Sequence, residues 1–288
     1  MSVALTLLLN GLANSALYFL MASGLTLIFG LLRVVNFAHG GFFVWGAYTG
    51  TFLASALHNL AASIAGGAAV GVLLGWLVER GLMRRLYGDA TQQLLITMGV
   101  LMVLSELVRL IFGPNPISAP APTSLGRSWV VNGVPLVAYE GFVILFGAAV
   151  FAILQGVLRG TRLGALIRAG VSNPELLAAR GIPVRRVFTA VFAIGAGLAA
   201  LAGGLSGPWF GAVTPDMGMD MQLTAFVIVV LGGLGSVGGS LLGSLVVGIT
   251  TAIVSYFAPS LAVLAGVVVM ALVLVVRPHG LMGQREVA

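Results

Sequence analysis

Apolar runs long enough to cross a bilayer alternate with short polar breaks along almost the whole chain. About 20 predominantly apolar residues make one helical span. On that measure the pattern predicts spans over 5–32, 37–57, 61–83, 93–112, 139–158, 187–207, 240–257 and 261–276. A shorter apolar stretch over 222–231 reads as a further crossing or as a half-helix that re-enters. The expected fold is therefore all-α, an integral membrane bundle of eight or nine spans, folded as a single domain over 1–288.

Small residues recur four apart on several of these segments. Gly46, Gly50 and Ala54 share a face, as do Gly67, Gly71 and Gly75, and Gly195, Ala199, Gly203 and Gly207. Such stripes let helix backbones approach closely inside a membrane. The glycine cluster 232–239 interrupts the apolar region 222–257. It reads either as a broken helix lining a transport path or as a tight turn between closely packed helices.

The longest polar interruption is 159–186, which holds six of the fourteen arginines and one acid, Glu175. Basic loops stay on the cytoplasmic side, so this segment is expected to be a cytosolic loop. Within it Asn173 is a suitable N-cap, Pro174 suits the first helical position and Glu175 suits the first turn. Gly181 suits a left-handed C-cap and Pro183 stops further winding. These signals predict a helix of about two turns, roughly 10 Å long, either a solvated connector or a docking helix. The first charge, Arg33, follows the first apolar run, which predicts an N-terminus outside, a C-terminus in the cytoplasm and no signal peptide.

Composition agrees with the pattern. The chain is 59% hydrophobic and 8% charged, with mean hydropathy +1.10, whereas soluble domains carry about 25% charge. The net charge of +6 sits between spans and is no sign of nucleic-acid binding. There is no cysteine and no lysine, and the three histidines, His39, His58 and His279, are scattered. A phosphate-binding P-loop uses a lysine, so any ATP-driven work is expected from another polypeptide, and no cofactor is expected in this chain. No nucleophile–base set or metal-ligand cluster points to an enzyme.

Polar residues within the spans are candidates for a solute path. Asn10, Asn14 and Tyr18 form a stripe on the first span, which either bonds another helix or meets a solute. His39 and Thr97 complete the set of candidate wall residues: Asn14, Tyr18, His39 and Thr97. Glu106 and Arg109 are spaced to pair on one helical face. Glu79 and Arg80, at a span boundary, are expected to pair or snorkel. The proline-rich 113–137 and the acidic 208–221 are expected to be external.

Four stretches together resemble one family. NFAHGGFFVWGAY (36–48), TRLGALIRAGVSNPELLAARGIPVRRV (161–187), VLGGLGSVGGSLLG (230–243) and RPHGLMG (277–283) are similar, in order and spacing, to the branched-chain amino acid permeases of ABC importers, most of all to the smaller, H-type subunit. The resemblance implies an inner-membrane permease that pairs with a second, related permease. It also implies two cytosolic ATPase subunits that hydrolyse the ATP, and a periplasmic solute-binding protein. Importer permeases carry a Glu-Ala-Ala, three residues, Gly loop that docks on the ATPase. Glu175 and Gly181 hold that spacing, with Leu176 and Leu177 in place of the alanines. The implied coupling residues are Asn173, Pro174, Glu175, Arg180 and Gly181. Urea or short amides are the alternative cargo, and an ATP-independent carrier or channel the alternative class.

Overall fold

Residues 2–131, 134–172, 181 and 183–283 are described by a computed structural model. The helices in chain order are α1 (Ser2–Leu32), α2 (Ala38–Leu57), α3 (Leu60–Gly81), α4 (Ala90–Phe112), α5 (Ala138–Gly160), α6 (Arg162–Ser172), α7 (Val184–Phe210), α8 (Met217–Gly232), α9 (Val237–Phe257) and α10 (Ala262–Val276). Two antiparallel ribbons complete it. Strand β1 (Ile117–Ser118) pairs with β4 (Ala212–Val213), and β2 (Ser128–Val131) pairs with β3 (Val134–Val137).

Among the described residues, seven segments are long and apolar enough to cross a membrane: Val3–Leu32, Leu60–Arg85, Ala90–Phe112, Ala138–Gly160, Val184–Phe210, Val237–Phe257 and Pro259–Val276. The expected eight or nine exceed this by α2 and α8. Helix α2 is 20 residues long, but its glycines, His39, Tyr48 and threonines dilute its apolarity. Helix α8 has only 16 residues.

Packing contacts fix how the helices run. Trp209 near the end of α7 meets Asn14 near the start of α1, and Gly195 meets Gly24, so α1 and α7 are antiparallel. Gly46 meets Ala200 and Thr51 meets Gly207, so α2 and α7 are parallel. Glycines 67, 71 and 75 descend past Ala200 and Ala196, so α3 opposes α7. One end of the bundle thus gathers the turns 33–37 and 82–89, helix α6, the glycine turn 233–236 and residues 277–283. The opposite end holds 58–59, 113–131, 134–137, 211–216 and 258–261.

Backbone contact at small residues holds the centre. A Cβ at Gly46 would stand 2.0 Å from the Ala200 carbonyl oxygen, and one at Gly203 would stand 2.0 Å from that of Phe43. The predicted stripes therefore lie at the α2–α7–α3 interfaces, except Gly195, which meets α1 at Gly24. The outer faces of α4, α5 and α10 instead expose large apolar side chains such as Leu110, Leu145, Val263 and Val275. That is the inverse of a soluble protein and the arrangement a lipid solvent favours.

One bound moves, one alternative is selected and one contact is added. Helix α7 does not stop at 207; it continues through Pro208 to Phe210. Proline in a last turn forfeits one i→i−4 bond, and Gly211, at φ +77°, then closes the helix by donating to the Gly207 carbonyl at 2.9 Å. The glycine cluster is a tight turn between α8 and α9, with Ser236 Oγ capping Gly239 N at 3.0 Å. The C-terminal segment folds onto that turn. Leu281 N donates to Leu231 O at 2.8 Å and Met282 N to Gly232 O at 2.9 Å. Only a residue without a side chain fits at 233, where φ is +101° and a Cβ would stand 2.4 Å from Gly283 N.

Candidate functional site

At the arginine-bearing end, the expected coupling residues Asn173, Pro174, Glu175 and Arg180 lie outside the described residues. Gly181 is described: it is exposed at φ +75°, the left-handed conformation a C-cap glycine adopts. The approach to this segment is a helix where the sequence reading placed only loop. In α6, Leu163, Leu166 and Ile167 share a face, and Thr161 Oγ1 accepts from Gly164 N at 3.1 Å. Ile167 is buried in a cluster with Phe19, Leu27, Leu31, Leu154 and Val187. A Cβ at Gly164 would stand 2.3 Å from the carbonyl oxygens of Val157 and Leu158, so α6 can fold back tightly on α5. The spacing of those three apolar residues was the missed signal.

Where α3 ends and α7 begins, a cleft of about 630 Å³ is lined by Trp76, Arg80, Arg84, Arg186, Thr189, Ala190 and Ala193. The Arg80 guanidinium lies over the Trp76 ring, 5.3 Å from its centre. The expected Glu79–Arg80 pair does not form. Consecutive helical residues diverge by about 100°, and Glu79 turns inward. It is fully buried and its Oε1 accepts from the Tyr87 hydroxyl at 2.5 Å. Burial first, and the Glu79 carboxylate second, push the Tyr87 phenol far above its ordinary range. Tyr87→Phe strands the buried carboxylate and is expected to destabilise by about 1–3 kcal/mol, read as a lower melting temperature in detergent.

The four interior candidates lie on three helices, Asn14 and Tyr18 on α1, His39 on α2 and Thr97 on α4. Asn14 Oδ1 accepts from Trp209 Nε1 at 2.8 Å, and Asn10 Nδ2 donates to Thr6 O at 3.0 Å, so the polar stripe of α1 serves packing here. Tyr18 is buried in the main core. Thr97 is buried on α4, its hydroxyl donating to Leu94 O at 3.0 Å. His39 lies in the first turn of α2, fully buried, with Nε2 2.9 Å from the Met21 carbonyl oxygen. Gln222 joins it from α8, its Oε1 accepting from Gly40 N at 2.9 Å. Sequence reasoning passed over Gln222, although an amide heading a short apolar stretch is a signal in a membrane segment.

At the opposite end Arg109 binds both Glu106, at 3.2 Å, and Asp216. The first pair was expected. The second ties α4 to the segment 208–221, which the β1–β4 ribbon joins to 113–137. Glu106 and Asp216 are largely exposed, and exposed ion pairs contribute about 1 kcal/mol at most. Asp216→Asn is expected to lower stability by no more than that, with a difference that shrinks in high salt.

The family profile described as "Branched-chain amino acid transport system / permease component" matches residues 7–277. The chain belongs to that permease family. It is similar to the high-affinity branched-chain amino acid transport system permease protein LivH of Escherichia coli K12, 29% identical over 96% of this chain and 95% of the relative. It is also similar to the corresponding protein BraD of Pseudomonas aeruginosa, 30% identical over 97% and 96%. The ribose import permease protein RbsC of Escherichia coli K12 is a more partial relative, 29% identical over 84% of this chain and 75% of its own length. No solved structure matches.

The motifs of this permease occupy connected places. Residues 36–48 form the turn into α2 and its first half, where Asn36 Oδ1 accepts from Ala38 N at 3.1 Å. Residues 230–243 and 277–283, distant in sequence, are the glycine turn and the segment hydrogen-bonded over it. Thr26 Oγ1 of α1 and Ser240 Oγ of α9, 2.5 Å apart, hold that turn to the central helix.

Proposed function

We propose that this permease is the membrane-spanning subunit of an ATP-driven importer for branched-chain or related amino acids in a bacterial inner membrane. The observation that carries this reading is the whole-length similarity to LivH and BraD, both named as high-affinity branched-chain amino acid permeases. In this reading two cytosolic ATPase subunits drive it, a second related permease pairs with it, and a periplasmic binding protein delivers the solute. The arginine-bearing end faces the cytoplasm and the N-terminus faces outside, in keeping with the positive-inside rule. Helix α2 crosses with its neighbours despite its modest apolarity, because its buried face meets helices rather than lipid; α8 completes the count to nine.

The coupling segment is 173–181, with Asn173, Pro174, Glu175, Arg180 and Gly181 as the residues the ATPase grips. ATP binding outside this chain pulls on that segment, and helices around the centre rock between outward and inward access. Asn14, Tyr18, His39 and Thr97 are assigned to the moving interior, His39 nearest the solute. The test is uptake into vesicles holding the full complex, with labelled leucine, urea and ribose in competition. ATP-dependent leucine uptake that urea and ribose leave untouched is expected. Preference for urea or ribose replaces the proposed cargo, and uphill transport without nucleotide overturns the ATP-driven reading.

A further inference from the structure

The first turn of α2 lies inside the bundle. His39 sits against Gly24 of α1, and Gly24 against Gly195 of α7, both interior positions of their helices. A Cβ at Gly24 would stand 2.9 Å from the imidazole, so the absence of a side chain there admits the ring. Three buried side chains meet this turn: Asn36, His39 and, from α8, Gln222.

Backbone partners fix the polarity of all three. A backbone N–H only donates, so Asn36 and Gln222 turn their oxygens to Ala38 N and Gly40 N. Their amide nitrogens, Nδ2 and Nε2, are left facing elsewhere. A carbonyl only accepts, so His39 Nε2 carries the proton donated to Met21 O, and Nδ1 keeps a bare lone pair. All three outlying nitrogens are buried and have no hydrogen-bond partner among the described residues. Buried polar groups are nearly always satisfied, so this turn offers two donors and one acceptor. The donors stand at the positive end of a helix dipole.

We propose that this turn and Gln222 form the subsite for the polar head of an α-amino acid. The Asn36 and Gln222 amides donate to the carboxylate, and His39 Nδ1 accepts from the ammonium. Phe42, edge-on to His39 at 6.4 Å, and the buried Leu25 and Ile28 offer apolar surface for the side chain. In this conformation α8 seals the turn, since a Cβ at Gly40 would stand 2.2 Å from Gly218 O; separation of α8 from α2 admits the solute. The inference rests on the amino-acid reading above and adds the residues that recognise the zwitterion.

Asn36→Asp and Gln222→Glu retain the oxygens that bond Ala38 N and Gly40 N while replacing each donor with a carboxylate oxygen. Vesicles holding the full complex are assayed for ATP-dependent leucine uptake, with leucinamide as a competitor lacking the carboxylate. Both variants are expected to raise the half-saturating leucine concentration by about tenfold or more and to improve competition by leucinamide. Gln222→Met, which removes the donor without adding charge, is expected to raise it as well. Retention of the wild-type value within about twofold by the variants that assemble overturns the subsite. Absence of ATP-dependent leucine uptake by the wild-type complex instead overturns the amino-acid reading itself.

Discussion

Gly46→Leu is expected to destabilise the bundle severely. The built Cβ stands 2.0 Å from Ala200 O and 2.4 Å from Ala200 Cα, and both atoms belong to backbone that cannot rotate away. The same seam is tight from the other side, at Gly203 against Phe43 O, and α3 closes over it with Gly67 and Gly71. Separating α2 from α7 to admit a side chain therefore also separates α3 from α7. The penalty should reach the upper end of the overpacking range, about 3 kcal/mol or more, out of a total stability that for most domains is about 5–15 kcal/mol. Size-exclusion chromatography in detergent and a thermal melt read it directly. Gly99→Ala on α4 and Gly141→Ala on α5 are the controls. Both sites are exposed with nothing within 4 Å of a Cβ, so alanine there should be neutral or gain up to about 1 kcal/mol from helix propensity. A wild-type melt for Gly46→Leu would mean that α2 and α7 do not meet as described.

The second large effect is expected at Gly181, and it should leave the bundle intact. The site is exposed, at φ +75°, and a Cβ there meets nothing within 4 Å among the described residues. Valine brings no collision, only the backbone penalty of a β-branched residue in the left-handed region, about 1–2 kcal/mol. The chain relieves that strain by taking another course through the coupling segment. Co-purification of the ATPase subunits should then fall by about tenfold, while the permease alone keeps its melting temperature. Glu175→Lys, which reverses the one acidic charge of the basic segment, should give the same loss. Unaltered co-purification for both variants would reject this segment as the docking site.

Much of the bundle was legible along the chain because its signals are local. A span announces itself by twenty consecutive apolar residues, a cap by one side chain and the following N–H groups, an interface by glycines four apart. Hence the predicted bounds of α3, α5 and α9 lie within a few residues of those observed, and the glycine stripes are close backbone contacts between helices. Helix α6 escaped because three apolar residues among arginines read as a loop until Ile167 finds a cluster to enter. Glu79 and Arg80 were read as pairing or snorkelling at a span boundary; they do not pair, because neighbours on a helix face different ways. The interior candidates were chosen for polarity, and polarity in a membrane helix is spent first on neighbouring helices, as Asn14 shows with Trp209.

The amino-acid sequence by itself determined that this is a membrane bundle, where its long apolar helices lie along the chain, which loops carry the positive charge, and to which permease family it is related. Tertiary structure alone decided that Gln222 reaches Gly40 across 182 positions of sequence, that α2 starts inside the bundle, and that the C-terminal segment covers the glycine turn. The reason is physical. Apolarity drives helices into lipid but does not choose their partners there; close packing of backbone on backbone and a few buried hydrogen bonds do that, and those exist only once the helices have met.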